Sequence, residues 1–362
     1  MDTKFSSRPL LTLKLAIVGG IAGLGFYFIP QLGFNSFITD ALRFAILIAA
    51  NLYGFATPIN FIKRFIITSL GIVIIYAFLG ATITNSYQFP YSPNTYASLL
   101  FLASFYIAFC FQQTYLEIAN NRSYKLTYSE IAWNYAFIIL ISLIFTLICQ
   151  LILLISSYLF KNFGFAFFYT LITSSAFSYP VSGLLLGIGI AICKKYTTII
   201  IALRRLVFAL SYFLLPVLAA IGILLVIALI FGTQHTTGSA DSFVLLTIIA
   251  LFLINAVYQL KEQTLPYPHF LTYLINIFII VLPIFPSLSI WQTIHSPTMS
   301  NIKNNLQMDI GFYSILLLYS LGYLITLFSS KTRWLKWLPE INIILGIITL
   351  ITGLIINIPI IN

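Results

Sequence analysis

Apolar residues in this chain come as long unbroken runs, near 10–29, 44–62, 65–84, 96–113, 132–160, 177–193, 206–232, 242–260, 269–292, 310–329 and 341–359. About 20 consecutive, mostly apolar residues let a helix cross a hydrocarbon core of about 30 Å. In lipid such a run must satisfy its backbone hydrogen bonds internally, which makes it helical. The pattern therefore predicts an all-α, polytopic membrane protein with about eleven transmembrane helices. The least obvious boundary, between the second and third runs, rests on Lys63 and Arg64, which are costly at the bilayer centre, and on Pro58 just before them. The first run follows a basic start. It is too long for the apolar part of a signal peptide and lacks a cleavage-type sequence, so it reads as an uncleaved helix.

Three stretches depart from simple spans. Residues 133–160 number 28, roughly 42 Å as a helix at about 1.5 Å per residue, so this run must tilt or enter the interface. The next stretch, 161–180, opens at Gly164 and crowds Phe163, Phe165, Phe167, Phe168 and Tyr169 together. Rings of this kind suit the headgroup boundary. The segment is expected to lie on the outer face, or to dip in and return, without crossing. The third departure is an outer loop holding Pro90 and Pro93. No soluble domain and no internal repeat is visible, and the whole chain, 1–362, reads as one membrane-embedded domain.

Composition agrees with lipid as the solvent. Only 7% of residues are charged and 60% are apolar, whereas soluble domains carry about 25% charged residues. The net charge of +10 invites a nucleic-acid reading, but the basic residues sit in short loops rather than on one face. With the N-terminus in the cytoplasm, only Arg43, Lys161 and Lys303 of the eighteen Lys and Arg fall outside. The other fifteen gather on the cytoplasmic side, as the positive-inside rule requires. A miscounted helix would scramble that partition. The reading is therefore a multi-pass protein of a bacterial inner membrane, C-terminus periplasmic, with membrane lipids as first partners, protein partners in the membrane as a further expectation, and no nucleic acid. A periplasm-active reporter fused after Asn362 should be active and one fused after Lys261 silent. The reverse at either site overturns the topology.

Polar chemistry within the runs is sparse. No catalytic motif, phosphate-binding loop or metal-ligand spacing occurs, so no cofactor is expected and the enzyme question stays open, leaning towards no. Cys110, Cys149 and Cys193 lie in apolar runs without pairing spacing, and His235, His269 and His295 stand near different helix ends. Four neutral amides, Asn51, Gln150, Asn255 and Asn276, remain as lining for a polar cavity or as interhelical hydrogen bonds. Lys194, Lys195, Arg204 and Arg205 form the densest basic cluster, either a contact for anionic lipid or a topology signal. Glu117 is the deepest acid, at a helix end. Gly19 and Gly23, like Gly183 and Gly187, are four apart, a spacing that lets helix backbones approach. The bundle has many neighbouring helices, so each pair reads as an intramolecular contact before a dimer face. Pro58, Pro216, Pro283 and Pro286 mark kinks.

The run LICQLILLISSYLF, the segment NFGFAFFYTLI and the later LRRLVFALSYFLLPVLAAIGILLVIALIFG together resemble the bacterial membrane family catalogued as domain of unknown function number 4153. The resemblance implies a polytopic inner-membrane protein and carries over no catalytic residue. Three functions fit the sequence, in this order: a transporter- or channel-like protein for a small molecule or lipid, a scaffold or assembly subunit of an inner-membrane complex, and a membrane-embedded transferase acting on a lipid-linked substrate.

Overall fold

A computed structural model describes residues 8–55, 62–86, 95–118, 124–231, 240–260, 267–295, 303–329 and 334–356. Among them the chain is helical and forms no strand. The helices are α1 (Arg8–Phe28), α2 (Ser36–Phe55), α3 (Ile62–Ser86), α4 (Thr95–Ile118), α5 (Tyr124–Asn162), α6 (Ala166–Thr173), α7 (Ser175–Lys195), α8 (Thr197–Phe231), α9 (Ala240–Leu260), α10 (His269–Val281), α11 (Ile284–His295), α12 (Lys303–Ser329) and α13 (Leu338–Ile356). Eleven spans among the described residues are long and apolar enough to cross a membrane, α10 and α11 together making one of them. They correspond in order to the eleven apolar runs.

The differences have local causes. The second span begins at Ser36, not near 44. Asn35 supplies the cap: its Oδ1 accepts from Ile38 N–H at 2.8 Å, satisfying a donor that a helix start leaves open. The helix thereby takes in Asp40 and Arg43. The two pair at 3.7 Å, Arg43 Nε donates to Phe26 O, and the guanidinium lies 4.7 Å from the Phe26 ring centre. Arg43 is thus held inside a helix rather than in the loop expected for it. Pro58 lies outside the described residues. Pro216 stands within α8, and Pro283 falls in the turn that separates α10 from α11.

The helices gather into two compact units, one comprising Met1–Tyr91 and Ala108–Ala202, the other Ser92–Ile107 and Leu203–Asn362. Two helices, α4 and α8, contribute residues to both.

In the first unit α1 packs along α7, α2 lies against α1 and α3, and α5 runs beside α7. Apolar side chains gain little by leaving lipid for a helix interface, so close backbone approach and interhelical hydrogen bonds carry such contacts. The two glycine pairs meet each other here. A Cβ on Gly19 would stand 2.0 Å from Gly183 O, and one on Gly187 would stand 2.2 Å from Leu15 O. The intramolecular reading of the two spacings is what the structure holds.

At 39 residues, α5 is about 58 Å long at the usual helical rise, well beyond a bilayer core of about 30 Å. It stops at a left-handed turn on Gly164, φ +91°. Phe165 N–H closes back onto Phe160 O at 2.9 Å and Gly164 N–H onto Lys161 O at 3.0 Å, a Schellman-type ending that favours glycine. The eight residues of α6 reach about 12 Å, too short to cross. Within the stretch 161–180, then, α6 is separate, and Ser175 to Pro180 already belong to α7.

A large cluster of buried apolar side chains lies in the second unit. Ile275, Phe278 and Ile279 of α10, Phe285 of α11, Ile254 of α9 and Leu338 of α13 are completely buried. The Phe278 ring lies against Gly222 of α8, where a Cβ would come within 2.3 Å of it.

Candidate functional site

Four helices of the first unit, α1, α2, α5 and α7, line a half-open cavity of about 360 Å³. Ligand sites typically measure roughly 300–1,000 Å³. Small residues keep its walls thin: Gly19, Ala22 and Gly23 on α1, Ala50 and Gly54 on α2, Gly183 and Gly187 on α7. The remaining wall is apolar, with five polar side chains and no charged one: Asn51, Thr146, Gln150, Tyr179 and Ser182.

Hydrogen bonding sorts four of these five, and the Tyr179 ring packs edge-on against Phe26. Thr146 Oγ1 donates to Ser142 O at 2.8 Å and is spent on its own helix. Asn51 Nδ2 donates to Leu47 O at 2.7 Å. Gln150 Nε2 donates across to Ser182 Oγ, and Ser182 Oγ donates on to Ser178 O. The carbonyl oxygens of Asn51 and Gln150 accept no hydrogen bond among the described residues. Each belongs to a residue that lines the cavity and is an acceptor that a ligand donor could meet.

A second half-open cavity, about 280 Å³, shares Gln150 with the first. Its wall comprises Leu153 and Leu154 of α5, Ile172 and Thr173 of α6, and Phe177, Ser178 and Val181 of α7.

The amides singled out by sequence part company here. Asn51 and Gln150 share the first cavity, and Asn255 and Asn276 are not among its lining residues. In the second unit Asn255 joins a closed ring with two residues that sequence reasoning missed, Tyr323 and Asn342. Asn255 Nδ2 donates to Tyr323 Oη, Tyr323 Oη to Asn342 Oδ1 at 3.0 Å, and Asn342 Nδ2 to Asn255 Oδ1 at 2.7 Å. The ring ties α9, α12 and α13 and leaves Tyr323 fully buried. On α10, Asn276 Oδ1 is buried without a partner among the described residues.

Glu117, partly buried at the end of α4, stands near enough to Tyr135 of α5 to interact electrostatically. Tyr135 Oη in turn donates to Phe55 O at 3.2 Å. Of the basic cluster, Lys194 is half-buried and Lys195 exposed at the end of α7, the Lys195 ammonium 5.2 Å from the Tyr196 ring centre. Arg204 and Arg205 fall in the other unit, with the Arg204 guanidinium 6.0 Å from the Phe208 ring centre.

One further polar assembly was not foreseen. In the second unit Tyr96 Oη donates to Asp241, and the Tyr313 hydroxyl reaches Tyr96 and Thr293. Asp309 lies one turn before Tyr313 on α12. No group of three or more His, Cys, Asp or Glu suited to a metal occurs among the described residues. Just outside the spans, Tyr267 is buried and its hydroxyl donates to Tyr212 O at 2.6 Å. Loss of solvation, and then the neighbouring Tyr212, push its phenol above the usual range.

Thr146 and Ser182 also went unremarked in the sequence, and what could have exposed them is spacing: Thr146 stands one helical turn from Gln150, and Ser182 one turn from Ser178. Hydroxyls in apolar helices usually bond their own preceding carbonyl, as most do here, so the signal alone is weak.

Helices of this length and apolarity, with a ligand-sized cavity inside one unit, define a multi-pass α-helical membrane protein. Comparisons with protein-family models, with curated proteins and with solved structures find no match for the chain.

Proposed function

We propose that this protein is transporter- or channel-like in a bacterial inner membrane and binds a small molecule or lipid in the cavity bounded by α1, α2, α5 and α7. The observation that carries the reading is the pair of unused amide acceptors, Asn51 Oδ1 and Gln150 Oε1, on an apolar wall without charges. A purely structural interface would close such a space with side chains, because unfilled volume forfeits packing contacts. The inner-membrane assignment, with the N-terminus cytoplasmic and the C-terminus periplasmic, rests on the fifteen-to-three division of basic residues and the positive-inside rule. The likeness to the family numbered 4153 points to the same membrane.

The test is occupancy. Protein extracted in mild detergent and examined by native mass spectrometry should retain a small apolar adduct. Ala50→Trp, which places an indole in the cavity, should lower that adduct by about tenfold, equivalent to ~1.4 kcal/mol of binding, while the protein stays monodisperse. An adduct equally abundant in the filled variant would remove this reading. A second protein chain retained in place of any adduct would favour the scaffold function.

A further inference from the structure

We propose that the two cavities of the first unit form one path for a neutral, single-chain amphiphile, entered beneath α6 and closed at its midpoint by the hydrogen bond from Gln150 to Ser182. This rests on the proposed ligand-binding role of the larger cavity and names the class of ligand and its route.

Continuity comes first. Gln150 belongs to both walls. Ser182 borders the larger cavity and Ser178, one turn earlier on α7, borders the smaller. The chain of bonds from Gln150 Nε2 to Ser182 Oγ, and from there to Ser178 O, therefore stands at the junction. Along α7 the joined walls run from Phe177 to Ile190, roughly 20 Å at the helical rise. A half-open groove this long and apolar takes one extended hydrocarbon chain more readily than a compact solute.

The chemistry of the wall selects the head. No charged side chain lines either cavity, and a charge carried into that setting would meet no partner, which is costly in a low-dielectric interior. What the wall offers is neutral: the hydroxyls of Thr173 and Ser178, then the acceptors Gln150 Oε1 and Asn51 Oδ1. A hydroxyl-bearing head can exchange hydrogen bonds along this series, donating to each amide oxygen in turn.

The entrance is set by α6. Both of its ends are breaks, the left-handed turn at Gly164 and the extended Ser174, ψ 138°. None of its side chains is fully buried, and Thr170 and Thr173 bond only carbonyls of their own helix. α6 packs against α5 and α7, with a ring contact from Phe160 to Phe168 at 5.1 Å and Lys161 over Tyr169 at 4.2 Å. Among the described residues no side-chain hydrogen bond from α6 to another helix holds it over the smaller cavity.

The experiment uses the full-length protein in liposomes and a monoacylglycerol whose acyl chain carries a diazirine. After illumination, cross-links are mapped by mass spectrometry. Wild-type protein should be labelled on both walls, on Leu153 or Phe177 and on Leu143 or Leu186, and unlabelled monoacylglycerol should compete better than lysophosphatidic acid. Ser182→Ala removes the hydroxyl that closes the junction and leaves Gln150 Oε1 in place. It should raise labelling of the larger cavity relative to the smaller by about threefold, the factor that loss of an average interhelical hydrogen bond allows. Gln150→Met opens the same junction but also removes the acceptor for the head, and should label the larger cavity less than Ser182→Ala does. Labelling confined to the larger cavity in every variant overturns the path while leaving the proposed function standing. No competable labelling in either cavity overturns both, and stronger competition by lysophosphatidic acid overturns the neutral head. If either variant fails to fold, the wild-type map and the competition still decide.

Discussion

Gly183→Ala should unfold this protein at markedly lower temperature, with a cost of about 3 kcal/mol, the upper end of what overpacking exacts. A Cβ at that position would sit 2.1 Å from Gly19 O, and one on Gly19 would sit 2.0 Å from Gly183 O. Both obstacles are backbone atoms, so no rotamer change relieves them. The helices must separate over the whole crossing, which also involves Gly23 against Tyr179 O at 2.3 Å and Gly187 against Leu15 O at 2.2 Å. Gly19→Ala should cost a similar amount. The double variant should cost less than the sum, because one separation relieves both clashes. Gly71 on α3 is the control: it has open space within 4 Å, and alanine there should be neutral. Thermal unfolding in detergent, followed by loss of the monodisperse peak, reads all four. Gly183→Ala behaving like Gly71→Ala would mean that α1 and α7 do not cross as described. Gly19, Gly23, Gly183 and Gly187 also line the larger cavity, so any of these variants that still folds should lose the retained adduct as well.

Tyr323→Phe should cost about 1.5 kcal/mol, near the top of the range measured for interhelical hydrogen bonds in membrane proteins. The side chain is fully buried, and its hydroxyl both accepts from Asn255 and donates to Asn342. Phenylalanine fills the same space but leaves Asn342 Oδ1 without that donor in a place where water cannot replace it, and an unmet buried group costs more than a met one gains. Asn342→Leu should cost a comparable amount. The two changes together should fall short of additive, since each breaks the same closed ring. Thr352→Val is the comparison: Thr352 Oγ1 donates only to Ile348 O, within its own helix, and its loss should cost under about 0.5 kcal/mol, as surface-type changes do. Equal melting of Tyr323→Phe and the Thr352 variant would show that the ring does not hold α9, α12 and α13 together.

The spans were legible because a bilayer imposes one rule on every one of them: a helix of sufficient length whose side chains tolerate lipid. Eleven apolar runs therefore map onto eleven candidate spans. The rule was silent on details governed by neighbours in space. Asp40 and Arg43 looked like loop residues because a charge in a span is costly when alone, yet their pairing and the Phe26 contacts let α2 start at Ser36. The glycine spacings announced close helix crossings, and nothing in the linear order said that the two pairs would meet. The amides announced polar contacts in the same incomplete way. Gln150 found Ser182 on α7, whereas Asn255 found Tyr323 and Asn342.

What the sequence determined by itself was the solvent, the helical class, the number of spans and, through the distribution of lysine and arginine, the expected orientation. Each depends on transfer free energies that add along the chain, whichever neighbour a residue meets. Tertiary structure decided which small residues face each other, which amide is consumed in a ring and which keeps a free oxygen on a cavity wall. Those outcomes depend on the relative placement of residues far apart in the chain, such as Gln150 and Ser182, whose hydrogen bond exists only once α5 and α7 have packed.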